Sequence, residues 1–194
     1  MIGSEQMRQF EEWLEEHRDK LKFVVSSVPF VAQVRASSDE GRAFDKSKPG
    51  EASRDKWSGK SFREQRESLI DFIHDRRIRK LVFLAGDMHC CYHATMRIGP
   101  AFDCSTIHEL GGGPIYQLRT GRRSHFFSLF KNETKVGGCD YRSQIEQVHG
   151  GASAAMHIRV GSTEKMHEID WEVVRTIDER RTKSSPMSGC IILD

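Results

Sequence analysis

The chain has 194 residues, 37% of them hydrophobic and 30% charged, with a formal net charge of +2. That length suits one domain with a real core and is short for two, and the composition is polar without being that of a disordered chain. So mild a charge gives no ground for a nucleic-acid partner, and no apolar run approaches the roughly 18 residues of a membrane span, so neither nucleic acid nor a membrane is expected as a partner.

The first 17 residues are acidic and amphipathic, unlike a secretory signal or transit peptide, and the expected location is cytoplasmic. Ser4 to His17 is predicted to be helical: Met7, Phe10 and Leu14 recur at helical spacing, Ser4 stands as the cap and Glu5 falls in the first turn. Lys22 to Val28 reads as a strand stopped by Pro29. Arg35 to Arg54, rich in Ser, Asp, Lys and Gly, reads as a long loop, and loops of that length tend to be functional lids or disordered. Ser61 and Glu64 have the spacing of a capping box. The helix they open is expected to run to about Arg76 and to bury Phe62, Leu69, Ile70 and Ile73.

Leu81 to Ala85 follows, five apolar residues with no polar alternation, as in a strand buried on both faces. Strand, helix and strand from Phe23 to Ala85 form a βαβ unit, for which a right-handed crossover is expected. Beyond His93, short strands are predicted over Ala94–Ile98, Cys104–Leu110, Ile115–Leu118, Ala154–Val160 and Met166–Arg175, with Gly111-Gly112-Gly113-Pro114 and Gly137-Gly138 as breakers. In the last of these strands Ile169, Trp171 and Val173 share a face. The fold class is α/β: a βαβ unit followed by a mainly antiparallel β part. Residues 1–178 are read as a single domain, and residues 179–194, charged and Ser-rich, as a flexible tail.

The residues that could carry chemistry gather behind the central strand. Gly86 ends it, and Asp87 and His89 follow at once, where open α/β sheets place their ligands. A carboxylate and a neutral imidazole are common metal ligands, although Asp87 could equally cap a turn. Asp55, before Lys56-Trp57-Ser58-Gly59, stands near the amino end of the second helix and could face the same rim, or merely pair with Arg54 or Lys56. Glu109, before the glycines, reads as the edge of a plain flexible turn; no GK[ST] follows, which excludes a P-loop. Five cysteines in an irregular set read as reduced thiols. A zinc site from His89, Cys91 and His93 is a weaker reading.

The order of these features resembles the carboxyl-terminal half of PhoD-like (alkaline phosphatase D) enzymes, a branch of the calcineurin-like metallophosphoesterases. The matching pieces are the helix with Trp13, the strand ending Ser26-Ser27-Val28-Pro29, and Asp55-Lys56-Trp57-Ser58-Gly59. Arg66 to Ile73, Gly86-Asp87-Met88-His89, Glu109-Leu110-Gly111-Gly112-Gly113-Pro114-Ile115 and, more weakly, Ile169 to Val174 continue the match. The resemblance implies a β-sandwich flanked by helices, with divalent or trivalent metal ions such as Fe, Ca, Zn or Mn at the carboxyl ends of the strands. It implies hydrolysis of a phosphate-ester substrate, with Asp87 and His89 as catalytic residues. His89 would be a metal ligand, Asp87 a ligand or the orienter of one, and Asp55 would face the same site.

The departures define the alternative. Lys60 stands where the family has an aromatic residue, and the superfamily's upstream ligand segments have no counterpart here. The chain is therefore expected to be a fragment or a separately encoded half of a larger enzyme, one that self-associates or joins a missing amino-terminal half. Otherwise it is a catalytically incomplete binding or regulatory domain.

Overall fold

The computed structural model describes residues 1–32, 56–59, 61–88, 90–100, 104–113, 132–135, 139–150, 154–163, 166–175 and 187–193. The elements are α1 (Ser4–Glu16), β1 (Lys22–Ser26), α2 (Arg63–Asp75), β2 (Leu81–Ala85), β3 (Cys90–Ile98) and β4 (Ser105–Gly111). After them come β5 (Asn132–Lys135), β6 (Tyr141–Gly150), β7 (Ala154–Ser162), β8 (His167–Arg175) and β9 (Ser188–Leu193). A six-stranded sheet has the order β1-β2-β4-β3-β6-β5, and a second sheet the order β7-β8-β9. β1, β2 and β4 run parallel, while β3, β6 and β5 are antiparallel, as are all pairs of the second sheet. The α/β class, the parallel pairing of β1 and β2 around α2 and the antiparallel second part are as expected.

The period-2 alternation of strands gives the first sheet two different faces. Leu81, Phe83 and Ala85 of β2 join Tyr92, Ala94 and Met96 of β3 beneath Leu14 of α1 and Leu69, Ile70 and Ile73 of α2. Val82 of β2, Cys91 of β3 and Leu110 of β4 face the other way, against Ile169, Trp171 and Val173 of β8 and Ile191 and Leu193 of β9. β2 is buried on both faces because it supplies both cores from the centre of the parallel trio, which is why its sequence shows no polar alternation.

The helix ends differ from expectation. α1 starts after Gly3 and α2 after Phe62, neither with a side-chain cap, so Ser4 lies inside its helix and Ser61 one residue too early to cap. At the far end of α1, the buried Lys22 ammonium donates to the carbonyls of His17 (2.7 Å), Arg18 (2.9 Å) and Lys20 (2.6 Å). This satisfies acceptors that a helix terminus leaves open.

Ser188–Leu193, inside the stretch expected to be a flexible tail, forms β9. Ile191 and Leu193 are buried against β8, and that burial outweighs the polar run before them. β5 and β6 were not anticipated. The predicted strand over Ile115–Leu118 lies outside the described residues.

Candidate active site

The carboxyl ends of β1, β2 and β4 lie side by side because the three strands are parallel and in register, Ser26 opposite Ala85 and Ala85 opposite Gly111. The turns beyond them are tied together: Gly86 N–H donates to Ser26 O (3.3 Å) and Gly112 N–H to Ala85 O (2.9 Å). Met88 N–H closes back on Gly86 O (2.9 Å), and Asp87 between them has a positive φ of 68°. Aspartate tolerates this conformation better than most residues. The tight turn lifts the Asp87 side chain out of the sheet; its side chain is 43% exposed.

Asp87 pairs with the ammonium of Lys56, whose side chain is 8% exposed. The neighbouring residue anchors that lysine. Trp57 packs edge-on against Phe30 with ring centres 5.5 Å apart, and Phe30 stacks on Phe83 of β2 at 4.4 Å. The Lys56-Trp57-Ser58-Gly59 stretch and the Gly86-Asp87-Met88 turn, distant in sequence, thus meet at one rim. Asp55 and His89 lie outside the described residues.

Under this rim lies a buried polar clamp. Glu109, fully buried in β4, accepts the backbone N–H of Phe30 (2.6 Å), Val31 (2.9 Å) and Ala32 (3.0 Å) and the hydroxyl of Tyr92 (2.9 Å). From the opposite side the buried Arg66 guanidinium donates to Phe30 O (2.8 Å) and Val31 O (3.1 Å). Burial raises the Glu109 pKa, and the three N–H groups and the Tyr92 hydroxyl pull it back. Glu109 is therefore no edge of a flexible turn: it fixes the chain where it leaves β1.

The described members of the zinc reading are engaged elsewhere. Cys91 Sγ accepts Gly113 N–H at 3.2 Å, and His93 faces His108. A different group of ligand types, Glu168, Asp170 and Cys190, comes within 4.8 Å on the outer face of the second sheet. An open groove of about 480 Å³, lined by His157, Arg159, Glu172 and Ser188 among others, runs over the same face. The Cys190 thiol is pushed up to about 11 by desolvation and by the Glu168 carboxylate. This face shares no residue with the strand-end rim.

The family model of the PhoD-like phosphatases matches residues 1–165. The chain belongs to the PhoD-like phosphatase family. A solved structure described as the structure of PhoD aligns with 88% of this chain at 17% identity and a TM-score of 0.49. This chain covers 29% of the length of that one. None of the curated proteins matches the sequence.

The sequence pattern assigned no role in the site to Lys56 or Arg66 and misplaced Glu109 at a flexible turn. A charged residue beside an apolar run was the available signal for Arg66 and Glu109, and it is ambiguous until the buried partner is known. Among the described residues no helix is long and apolar enough to cross a membrane.

Proposed function

We propose that this chain carries part of the catalytic unit of a metal-dependent phosphoesterase that hydrolyses phosphate esters. Its site would lie at the ends of β1, β2 and β4, with Asp87, His89 and Asp55 facing it. The reading rests on family membership, and one structural observation favours this location: Lys56 and Asp87, from the two stretches expected to converge, form an ion pair at the rim. Metal ions in such a site activate water and offset charge on the phosphoryl oxygens. Of the expected ligands only Asp87 is described, and its carboxylate is engaged by Lys56. One carboxylate does not make a metal site, so the remaining donors would come from Asp55, His89 and an amino-terminal half, carried by the same polypeptide or by another, or from a second copy. Lys56 has its own role in this reading: it orients Asp87 and keeps a cation where an anionic ester approaches.

The alternative is a catalytically incomplete domain that binds or regulates, and the engagement of Asp87 by Lys56 favours it. The two readings separate on metal content and on chelator-sensitive hydrolysis of an aryl phosphate by the purified protein. Bound metal with activity abolished by His89→Ala supports the phosphoesterase. A metal-free protein with no activity across Fe, Ca, Zn and Mn refutes catalysis by this chain alone, and the binding domain is left only if metal and activity also fail to appear when an amino-terminal half is supplied.

A further inference from the structure

We propose that His93 and His108 form an acid-sensitive latch on the first sheet that sets the contact of His93 with Trp171 of the second, closed while at least one imidazole is neutral and opened when both are charged. His93 Nε2 and His108 Nδ1 are 3.2 Å apart. The ring centres are 5.5 Å apart and the planes differ by 13°. The centre-to-centre distance exceeds the N–N distance by about one ring radius at each end. Both nitrogens therefore lie on the line between the centres, and the rings meet head to head, nearly coplanar. That is the geometry of an N–H···N hydrogen bond, with one ring donating and the other accepting. It is not that of a metal chelate, in which the two lone pairs converge on an ion instead of opposing each other.

The pair is placed where it can couple the sheets. His93 on β3 stands opposite Leu110, and His108 on β4 opposite Thr95, so the two are diagonal neighbours on the face turned to the second sheet. His93 is 8% exposed, and the Trp171 ring of β8 lies 5.5 Å from it at a 60° tilt. Trp171 is itself held over Gly189 of β9, where an added Cβ would come within 2.7 Å of the indole. One imidazole thus touches both the second sheet and the hydrogen-bonded partner that sets its orientation.

The charged group facing both rings among the described residues is Glu146 of β6. β8 and β4 contribute the uncharged Trp171 and Leu110 at this point. Glu146 owes its position to a bulge: the β3–β6 register passes from His93↔Gln147 to Ala94↔Ile145 and leaves Glu146 unpaired. Thr95 and Gln144 hold its carboxylate at 2.6 and 2.7 Å.

The first added proton makes an imidazolium that still donates to the neutral ring, so the bridge survives. The second places N–H groups on both facing nitrogens and two positive charges across the same gap, and the bridge breaks. Burial, then the charge of His93, lowers the His108 pKa to about 4; burial lowers that of His93, and Glu146 opposes both shifts. A histidine pKa lowered by folding contributes stability that is complete above the ordinary value of 6.5 and declines as the pH falls towards about 4. The coupled pair titrates in two steps, and the lower step is the opening.

The test is ¹⁵N NMR of the imidazoles together with ¹⁹F NMR of 5-fluorotryptophan-labelled protein, in which the three tryptophans report separately. At neutral pH one facing nitrogen should be protonated and the other not. The second protonation should coincide with a shift of the Trp171 resonance while Trp13 and Trp57 stay unchanged. Glu146→Gln, at an exposed position, should move that step to lower pH by half a unit or more, and His108→Asn should abolish it. Independent titration of both rings without a Trp171 response, simultaneous change of all three tryptophans, or a step left in place by Glu146→Gln would overturn the latch. The Glu146 variant decides the matter even if His108→Asn does not fold.

Discussion

Glu109 and Arg66 bring opposite charges into the same buried space and grip the two faces of the same peptide groups, those of Phe30 and Val31. Glu109 accepts four hydrogen bonds and each guanidinium nitrogen of Arg66 donates one, which is what makes the charges tolerable away from water. Glu109→Gln keeps the volume but turns an amide N–H₂ towards donors. With four donors aimed at the carboxylate, at least one is left unsatisfied, at a cost of about 1–3 kcal/mol, to be read as a lower urea midpoint with an unchanged slope. Arg77 presents the opposite case. The end of α2 closes with Arg77 N–H on His74 O and Ile78 N–H on Ile73 O, the two bonds of a Schellman motif. The residue in the left-handed position is Arg77, at φ 51°. Glycine has no Cβ to strain there, so Arg77→Gly should stabilise by about 0.5–1 kcal/mol, and Arg77→Val should lower the Tm.

At the scale of elements, sequence patterns were readable where one rule dominated. α1 and β2 stood out because helical spacing and an unbroken apolar run have few rival explanations. β6 did not, because a polar Ser143 stands between Tyr141 and Ile145 on its buried face and the bulge at Glu146 shifts the phase before Val148. β9 was hidden behind a charged, Ser-rich approach. Asp87 was legible as a residue at a strand end, but its partner Lys56 was not, since 31 residues separate them; the Glu109 contacts span 77 to 79. The β3–β4 pair shows how specific such unreadable contacts become. Tyr92 lies across from Gly111, and a Cβ on Gly111 would sit 1.9 Å from the tyrosine ring. The ring cannot yield, because Tyr92 is fully buried and its hydroxyl is held by Glu109. Gly111→Ala should therefore cost about 1–3 kcal/mol or more. Gly112→Ala, whose nearest contact would be 3.9 Å from Ala85 O, should come close to neutral.

For the molecule as a whole, the question is what holds the second sheet to the first. Its inner face is narrow: Ile169, Trp171 and Val173 from β8, Ala154 from β7, and Ile191 and Leu193 from β9. The last strand therefore supplies buried side chains to the inter-sheet core and also covers one edge of β8. Ending the chain at Met187 would expose Trp171 and leave β8 as an unprotected edge, a template for pairing with other chains. The truncated protein should lose cooperative urea unfolding and elute as oligomers in size-exclusion chromatography. The milder Ile191→Ala should keep the fold at a cost of about 2–5 kcal/mol. A truncated chain that kept the elution volume and the midpoint of the full chain would mean that β9 is an ornament on the sheet and that β7 and β8 suffice to cover the first sheet. The graded response of the single substitution distinguishes lost packing from lost edge protection, since Ile191→Ala empties the core without uncovering the β8 edge.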